Sequence, residues 1–194
     1  MRSFPIYFLR HGETDWNREL RFQGRQDIPL NETGKMQATR NGHALAQHLE
    51  SLKGISVFVS PLCRTRETFE LMLQASGFER PDVEYEERLM ELSFGDWEGV
   101  TLPELRTLYP DQLDQRENTK WTMVPPNGES YATLAERVRG WLEEQSGPCL
   151  IVSHGGVMRC LRFILEDLSG QQAGKLKTPQ DVVYHWDGEK AHWL

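Results

Sequence analysis

Residues 6–17 read I-Y-F-L-R-H-G-E-T-D-W-N, four apolar side chains followed at once by a mostly polar run. A short apolar run of this kind is typical of a strand that is covered on both faces of a parallel sheet. Two further, mostly apolar runs have the same form and occupy residues 55–59 and residues 149–152. The sequence therefore predicts three short buried strands.

Amphipathic helices are predicted between these strands. Apolar residues recur at helical spacing in residues 38–49, 131–142 and 157–168, and a further helix is expected over residues 62–75. Asn31 or Thr33 is a suitable N-cap for the first helix, and Ser130 for that of residues 131–142. The alternation of strands and helices predicts an α/β fold with a mostly parallel sheet. Residues 181–194 are expected to form a closing strand pair around Asp187-Gly188.

The composition suits one domain and excludes several classes of protein. The 194 residues are 38% hydrophobic, and their formal net charge of −7 disfavours non-specific binding to nucleic acid. No apolar run approaches the roughly 20 residues of a membrane helix. Three cysteines without C-x-x-C spacing indicate a reducing compartment and no structural metal site. We expect a single cytoplasmic domain over residues 1–194, a monomer or homodimer without nucleic-acid or membrane partners.

The segments that follow the three strands carry the candidate chemistry. Arg10 and His11 follow the first strand, Arg64 comes shortly after the second, and His154 follows the third. Ligands of open α/β sheets bind at the carboxyl ends of the strands, so these four side chains are expected to lie together. Each of them alone is more simply interpreted as a core or surface residue. Their common position favours a functional site.

Two arginines and two histidines are suited to binding and transferring a phosphoryl group. The guanidinium group matches phosphate oxygens in shape and stays charged at any working pH. A neutral imidazole beside it can attack phosphorus, and the donors stabilise charge on the equatorial oxygens in the transition state. This chemistry requires no metal ion.

Five segments resemble motifs of the histidine phosphatase superfamily, the phosphoglycerate mutase-like proteins. They read L-R-H-G-E-T-D-W-N at residues 9–17, R-F-Q-G-R-Q-D-I-P-L at 21–30, S-P-L-C-R-T-R-E-T at 60–68, L-M-E-L-S-F-G-D-W-E-G at 89–99 and S-H-G-G-V-M-R at 153–159. They occur in the family's order, and together they are highly specific. The resemblance implies a three-layer α/β/α sandwich.

The resemblance also implies a role for each matching residue. His11 would be the nucleophile that becomes phosphohistidine. Glu91 would protonate the leaving oxygen and then activate water. The phosphoryl group would be held by Arg10, Arg64 and His154, with further contacts from Asn17, Gln23, Gly24 and the N–H of Gly155 at a helix N-terminus.

The acid/base residue is chosen by the family pattern and not by the residues alone. The stretch around it contains five glutamates, Glu84, Glu86, Glu87, Glu91 and Glu98. An acidic run is usually a solvated face, and the residues alone give Glu91 little more than an equal share among the five. The resemblance selects Glu91 because Gly95 and the W-E-G of residues 97–99 follow at the expected spacing.

Three features favour a phosphatase over a mutase within this family. The chain is short, P-P-N-G-E-S at residues 125–130 resembles a turn of the phosphatase branch, and Gly156 stands where mutases tend to have Asn. Residues 101–127 are expected to form a lid-like insertion over the leaving group. The candidates to meet that group are Arg106, Tyr109, Arg116, Lys120 and Trp121. The alternative is a cofactor-dependent phosphoglycerate mutase.

Two other classes are less favoured. A non-catalytic module that binds phosphorylated ligands would not need Arg10, His11, Arg64, Glu91 and His154 together. A metal-dependent hydrolase built on His11, Glu91 and His154 lacks a compact ligand motif such as H-E-x-x-H.

Overall fold

A mostly parallel sheet forms the centre of the protein. The computed structural model describes residues 3–194, apart from the side chain of Glu117, and within them the sheet has six strands. The strands are β1 (Ile6–Arg10), β2 (Ser56–Val59), β3 (Val83–Tyr85), β4 (Cys149–Ser153), β5 (Val183–Trp186) and β6 (Ala191–Trp193), in the order β3-β2-β4-β1-β5-β6. β1 to β4 are parallel, whereas β5 is antiparallel to β1 and to β6. The predicted mostly parallel α/β sheet is confirmed, and residues 181–194 contain the expected strand pair.

Eight α-helices surround this sheet within the described residues. They are α1 (Asp15–Arg18), α2 (Glu32–His48), α3 (Cys63–Ser76), α4 (Leu102–Leu108), α5 (Pro110–Thr119), α6 (Tyr131–Glu143), α7 (Gly155–Leu165) and α8 (Gly170–Gly174). Asn31, and not Thr33, caps α2, and Ser130 caps α6. α7 ends three residues before the predicted Leu168, because Asp167 adopts φ 52, a left-handed conformation that ends a helix. None of the described helices is both long and apolar enough to cross a membrane.

The two faces of the sheet bury separate hydrophobic cores. Successive side chains of a strand point to opposite faces. In β1, Ile6 and Phe8 pack with residues of α6 and α7, whereas Tyr7 and Leu9 pack with residues of α2 and α3. Helices therefore cover both faces, as the resemblance to the phosphoglycerate mutase-like fold implies, and the fold is a three-layer α/β/α sandwich.

Residues 101–127 contain α4 and α5 and pack beside the carboxyl ends of the parallel strands. Leu105 and Met123 form a small third core with Trp97. At the end of the segment, Trp121 stacks on Tyr131 of α6, with ring centroids 5.8 Å apart. This packing fixes where the segment lies. That it is a lid within a single domain stays a prediction.

Candidate active site

The carboxyl ends of β1 and β4 bring the two predicted histidines together. Arg10 lies opposite Ser153 in the parallel ladder, and the N–H of His11 continues the ladder by donating to the carbonyl of Ser153 at 2.8 Å. The rings of His11 and His154, which follow the two strands, have centroids 5.2 Å apart. Both side chains are almost fully buried, with exposed fractions of 2% and 0%.

His11 is held as a neutral imidazole with one defined tautomer. Its Nδ1 lies 2.7 Å from the carbonyl oxygen of Gly12. A carbonyl oxygen can only accept a hydrogen bond, so Nδ1 carries the proton and Nε2 keeps its lone pair. Burial, and then the charges of Arg64 and Arg10, lower the pKa of His11 well below its usual value. The ring is therefore neutral at neutral pH, with a nucleophilic nitrogen at Nε2.

The backbone that holds this tautomer is packed tightly against α2 and α3. A Cβ on Gly12 would overlap the carbonyl oxygen of Gly34 in the first turn of α2, so only glycine fits there. The N–H of Gly12 donates to Oγ1 of Thr68 at 3.0 Å, and that hydroxyl donates to the carbonyl of Arg64 at 2.7 Å. These contacts fix the peptide whose carbonyl selects the proton position on His11.

Two guanidinium groups lie beside His11, that of Arg64 buried and that of Arg10 partly buried, and neither pairs with a carboxylate among residues 3–194. Arg64 donates to the carbonyls of Gln26 and Gly24, at 2.7 and 2.9 Å, and Arg10 donates to the carbonyl of Thr178 at 2.7 Å. In each of the two arginines, Nε is buried and has no hydrogen-bond partner among the described residues. Burial lowers the pKa of Arg10 to about 10 and also lowers that of Arg64. Both are charged at neutral pH, because a guanidinium group is not deprotonated in proteins. Buried charge with unused donors is what an anion site requires.

His154 lies behind the cavity wall. Its Nε2 is 2.7 Å from Oγ of Ser60, at the end of β2, and its Nδ1 is buried without a partner among residues 3–194. Burial, followed by the charge of Arg64, lowers the pKa of His154 well below its usual value. The structure therefore places this predicted residue against the ring of His11 and not on the cavity surface.

Glu91 lies at the N-terminus of α7. Its carboxylate accepts the N–H of Gly156 at 3.0 Å and 3.2 Å through its two oxygens, and the N–H of Leu92 at 2.9 Å. Positive backbone charge at a helix N-terminus favours a carboxylate there. A Cβ on Gly156 would overlap Oε1, so the absence of a side chain makes this contact possible. Of the five candidate carboxylates, Glu91 alone lines the cavity in the described part of the chain.

The other candidate carboxylates have structural partners or lie on the surface. Glu98 accepts the backbone N–H groups of residues 25 and 94, at 3.0 and 3.1 Å, and so fixes the loop that carries Gln23 and Gly24. Glu86 pairs with Arg88 at 2.8 Å. Glu84 and Glu87 are exposed. Glu13 also lines the cavity, but it is not one of the five candidate carboxylates.

A cavity of about 540 Å³ opens at this edge of the sheet. The predicted site residues that line it are Arg10, His11, Asn17, Gln23, Gly24, Arg64, Glu91 and Gly155. Among the described lining residues, the basic ones are Arg10, Arg21, Arg64, Arg116, Lys120 and Arg159, and the acidic ones are Glu13 and Glu91. The cavity is thus locally positive although the chain as a whole is acidic. Among residues 3–194, no group of three or more His, Cys, Asp or Glu side chains is arranged to hold a metal ion.

The sequence analysis missed several cavity residues, and two of them, Thr178 and Gln180, form hydrogen bonds with predicted site residues. Thr178 provides the carbonyl that binds Arg10, and the amide of Gln180 donates to the carbonyl of His11 at 3.0 Å and to Oδ1 of Asn17 at 3.1 Å. Both lie in the loop before β5, where the sequence has no periodic pattern or recognisable motif. No signal in the sequence identifies them.

Two curated relatives match nearly the whole chain in sequence. The phosphoglycerate mutase of Schizosaccharomyces pombe is 33% identical over 191 residues, which cover 94% of this chain and 90% of the relative. A probable phosphoglycerate mutase, GpmB, of Escherichia coli O1:K1 / APEC is 31% identical over 201 residues, which cover 97% of this chain and 87% of the relative.

Two solved structures also resemble nearly the whole chain. Mycobacterial glucosyl-3-phosphoglycerate phosphatase has a TM-score of 0.78 and 28% identity, covering 100% of this chain and 97% of its own. YhfR of Bacillus stearothermophilus has a TM-score of 0.81 and 29% identity, covering 98% and 95%. The model of the histidine phosphatase superfamily, branch 1, matches residues 6–193. With a family match of this length and the strand-end site in place, the chain belongs to the histidine phosphatase superfamily.

Proposed function

We propose that this chain hydrolyses small phosphomonoesters, without a metal ion or other cofactor, through a phosphohistidine on His11. One observation carries the proposal. The proton on Nδ1 of His11 is bound by the carbonyl of Gly12, which leaves the Nε2 lone pair of a neutral, buried ring beside two guanidinium groups with unused Nε–H donors. A nucleophile and its anion clamp are thereby held together.

In the first step, Nε2 of His11 attacks phosphorus as the bond to the leaving oxygen breaks. When substrate is bound, the negative charge of its phosphate opposes the effect of the helix N-terminus and favours the protonated form of Glu91, which transfers its proton to that oxygen. Arg10 and Arg64 donate to the equatorial oxygens, which carry the negative charge of the transition state. The products of this step are the dephosphorylated alcohol and phosphohistidine.

In the second step, the Glu91 carboxylate takes a proton from water, and the water oxygen attacks phosphorus. The P–N bond breaks and its electron pair returns to Nε2 of His11. Inorganic phosphate leaves, and Glu91 is again protonated for the next cycle. The cycle consumes only the substrate and one water molecule, and it regenerates both His11 and Glu91.

A mutase is the second candidate, because the curated relatives at 33% and 31% identity bear that name. The two activities share the phosphoenzyme and differ in whether water or a bound phosphoglycerate attacks it. The phosphatase name of the mycobacterial structure and Gly156 support hydrolysis.

The test is phosphate release from a panel of phosphomonoesters with a chelator present. The panel contains an aryl phosphate, α-ribazole phosphate and both monophosphoglycerates, and isomerisation of the latter is followed in parallel. His11→Ala is compared with His43→Ala, a matched control because His43 is exposed on α2. We expect His11→Ala to lose phosphate release and an acid-labile phosphoenzyme, and the control to keep both.

The other outcomes separate the remaining hypotheses. Isomerisation without release would identify a mutase. Loss of activity with the chelator would contradict the metal-independent mechanism. If the panel gives no turnover and no phosphoryl donor labels His11, the proposed hydrolysis is refuted. A module that only binds phosphorylated ligands is then favoured.

A further inference from the structure

The side-chain amide of Gln180, in the loop before β5, binds two predicted site residues at once. Its Nε2 donates one hydrogen to the carbonyl oxygen of His11 at 3.0 Å and the other to Oδ1 of Asn17 at 3.1 Å. All three residues line the cavity. Gln180 lies 169 positions from His11 and 163 from Asn17, so this amide joins distant segments of the chain. The proposed mechanism gives Gln180 no role.

The orientation of the Gln180 amide follows from the carbonyl group of His11. A backbone carbonyl oxygen only accepts hydrogen bonds, so the atom of Gln180 that faces it must be the nitrogen, Nε2. The second hydrogen of that nitrogen needs an acceptor, and the atom of Asn17 that meets it must therefore be Oδ1. With the amide of Asn17 reversed, two NH2 groups would face each other. The direction of one peptide group thus sets the direction of both side-chain amides.

A second donor reaches the same oxygen of Asn17 from nearby in the sequence. The N–H of Thr14 donates to Oδ1 at 3.2 Å, and Oγ1 of Thr14 accepts the N–H of Asn17 at 3.2 Å, in a capping box of α1. α1 has only four residues, and so short a helix is marginal without contacts to the rest of the protein. Gln180 provides such a contact, because its hydrogen bond comes from outside α1 and its cap.

The other end of the Asn17 amide is left for a ligand. Within residues 3–194, the hydrogen bonds of this side chain go to Oδ1, and none uses Nδ2. An anion is attracted by the NH2 donors and repelled by the carbonyl oxygen of an amide. Binding Oδ1 to Gln180 therefore leaves the cavity with the end of Asn17 that can donate to phosphate oxygens.

Gln180 is in turn held by α2. Its backbone carbonyl accepts a hydrogen bond from Nδ2 of Asn41 at 3.0 Å, and Asn41 is fully buried inside this helix. The next residue, Asp181, pairs with Arg40 of the same helix at 3.3 Å. The loop is consequently in place before any ligand arrives, which lowers the entropic cost of binding.

We infer that Gln180 is a positioning residue of the phosphate site, which directs the side-chain NH2 of Asn17 at the phosphate. The inference rests on the proposed function, because it deepens the account of how the same site holds its phosphoryl group. Gln180 acts through Asn17 and needs no contact with the substrate. It excludes the orientation of Asn17 in which Oδ1 would face the anion.

The test is a double-mutant cycle of Gln180 and Asn17, with the calorimetric Kd for inorganic phosphate as its readout. Gln180→Met keeps the length of the side chain and removes both donors. We expect Kd to rise about fivefold in Gln180→Met, from the loss of one neutral hydrogen bond, and about tenfold in Asn17→Ala, from the loss of one charge-assisted hydrogen bond. Because Gln180 acts through Asn17, Kd of the double variant should stay within about twofold of that of Asn17→Ala, whereas independent effects would give about fiftyfold.

Gln47→Met is the matched control, because Gln47 is an exposed glutamine on α2 and its loss should leave Kd unchanged. Thermal unfolding reports whether each variant is folded. An unchanged Kd in folded Gln180→Met would overturn the inference. A double variant in which the two single effects multiply would also overturn it, because Gln180 would then act independently of Asn17.

A measurement on the wild-type chain tests the inference even if Gln180→Met does not fold. In NMR spectra, inorganic phosphate should shift the side-chain NH2 protons of Asn17, which are assigned by their loss in Asn17→Ala. The NH2 protons of Gln180 should shift less, since both are already bound within the protein. Absence of the Asn17 shift at saturating phosphate would contradict the inference.

The two proposals can fail separately. If the wild type hydrolyses no ester but the cycle in phosphate affinity is coupled, the proposed function fails and the positioning role of Gln180 stands. If esters are hydrolysed and the two substitutions act independently on Kd, the positioning role fails alone.

Discussion

Gly156 is the position where one added methyl group tests the placement of Glu91. Its N–H donates to both carboxylate oxygens, at 3.0 and 3.2 Å. A Cβ here would overlap Oε1 of Glu91 and lie 3.2 Å from Leu134. In Gly156→Ala the carboxylate must therefore move away from the N-terminus of α7, while Glu91 itself is unchanged in chemistry.

The size of the effect follows from the contact that is lost. A hydrogen bond to a charged group contributes about 1.5–3 kcal/mol, and about 1.4 kcal/mol corresponds to a factor of ten in rate. We expect kcat/KM for an alkyl phosphate to fall by about ten- to hundredfold, within the roughly 10²- to 10⁴-fold that general acid–base catalysis supplies. Overpacking costs about 1–3 kcal/mol and the better helix propensity of alanine offsets up to about 1 kcal/mol, so the fold should survive.

The assay uses phosphate esters whose leaving groups differ in basicity. An alkoxide must be protonated as it leaves, whereas p-nitrophenolate leaves readily without a proton. In Gly156→Ala, kcat/KM is therefore expected to fall more for the alkyl ester than for the p-nitrophenyl ester. Hydrolysis of the phosphoenzyme, measured by rapid quench, should slow equally for both, because its second step no longer contains the leaving group.

Gly140→Ala is the matched control for this substitution. Gly140 is exposed on α6, and a Cβ there meets nothing within 4 Å, so we expect unchanged kinetics. Thermal unfolding of both variants reports whether the fold is intact. Equal losses for alkyl and aryl esters in a folded Gly156→Ala would refute the role of Glu91 as the proton donor.

Three further predictions concern stability. Leu20 is 75% exposed and has φ 57, a left-handed conformation that favours glycine, so Leu20→Gly should raise the free energy of unfolding by about 0.5–1 kcal/mol in urea titrations; a decrease would contradict this. Burial, followed by nearby charges, lowers the pKa of His11 and His154 in the folded state, so the unfolded chain binds more protons below about pH 6.5. Stability should therefore fall as the pH falls through that value, by up to about 1.4 kcal/mol per pH unit for each histidine, and a flat profile between pH 5 and 7 would refute the shifts. Inorganic phosphate at about 100 times its Kd should stabilise the protein by about 2.7 kcal/mol, or roughly 5–10 °C in Tm. Arg64→Gln should abolish this effect, and chloride at equal ionic strength should not reproduce it.

The positions of the catalytic candidates were predictable because their strands are short and fully buried. β1 and β4 are apolar runs with sharp polar ends, so the sequence places Arg10, His11 and His154 at strand ends with little freedom. Parallel pairing then brings these ends to one edge of the sheet. The choice of Glu91 could not be made in this way, because Glu91 follows a one-turn 3-10 helix (Glu87–Leu89) and not a strand.

The parts that the sequence does not predict depend on contacts between distant residues. β3 has three residues, two of them exposed, and so lacks an apolar run. Thr178 and Gln180 reach the cavity because β5 returns antiparallel to β1, which places residues 168 and 169 positions apart in contact. The tautomer of His11 depends on the direction of a single peptide group. Periodicity along the chain contains none of this information.

The separation of the acid from the phosphate clamp is the feature on which the proposed mechanism depends. Glu91 is near enough to affect the pKa of Arg10 and of Arg64, yet within the described residues its hydrogen bonds go to the backbone at the N-terminus of α7. If Glu91 instead formed an ion pair with either arginine, a substrate phosphate would have to displace the carboxylate from the guanidinium group. The arginine would also favour the ionised form of Glu91, which has no proton to donate to the leaving oxygen. Because the helix N-terminus holds the carboxylate, the guanidinium groups keep their Nε–H donors for the substrate.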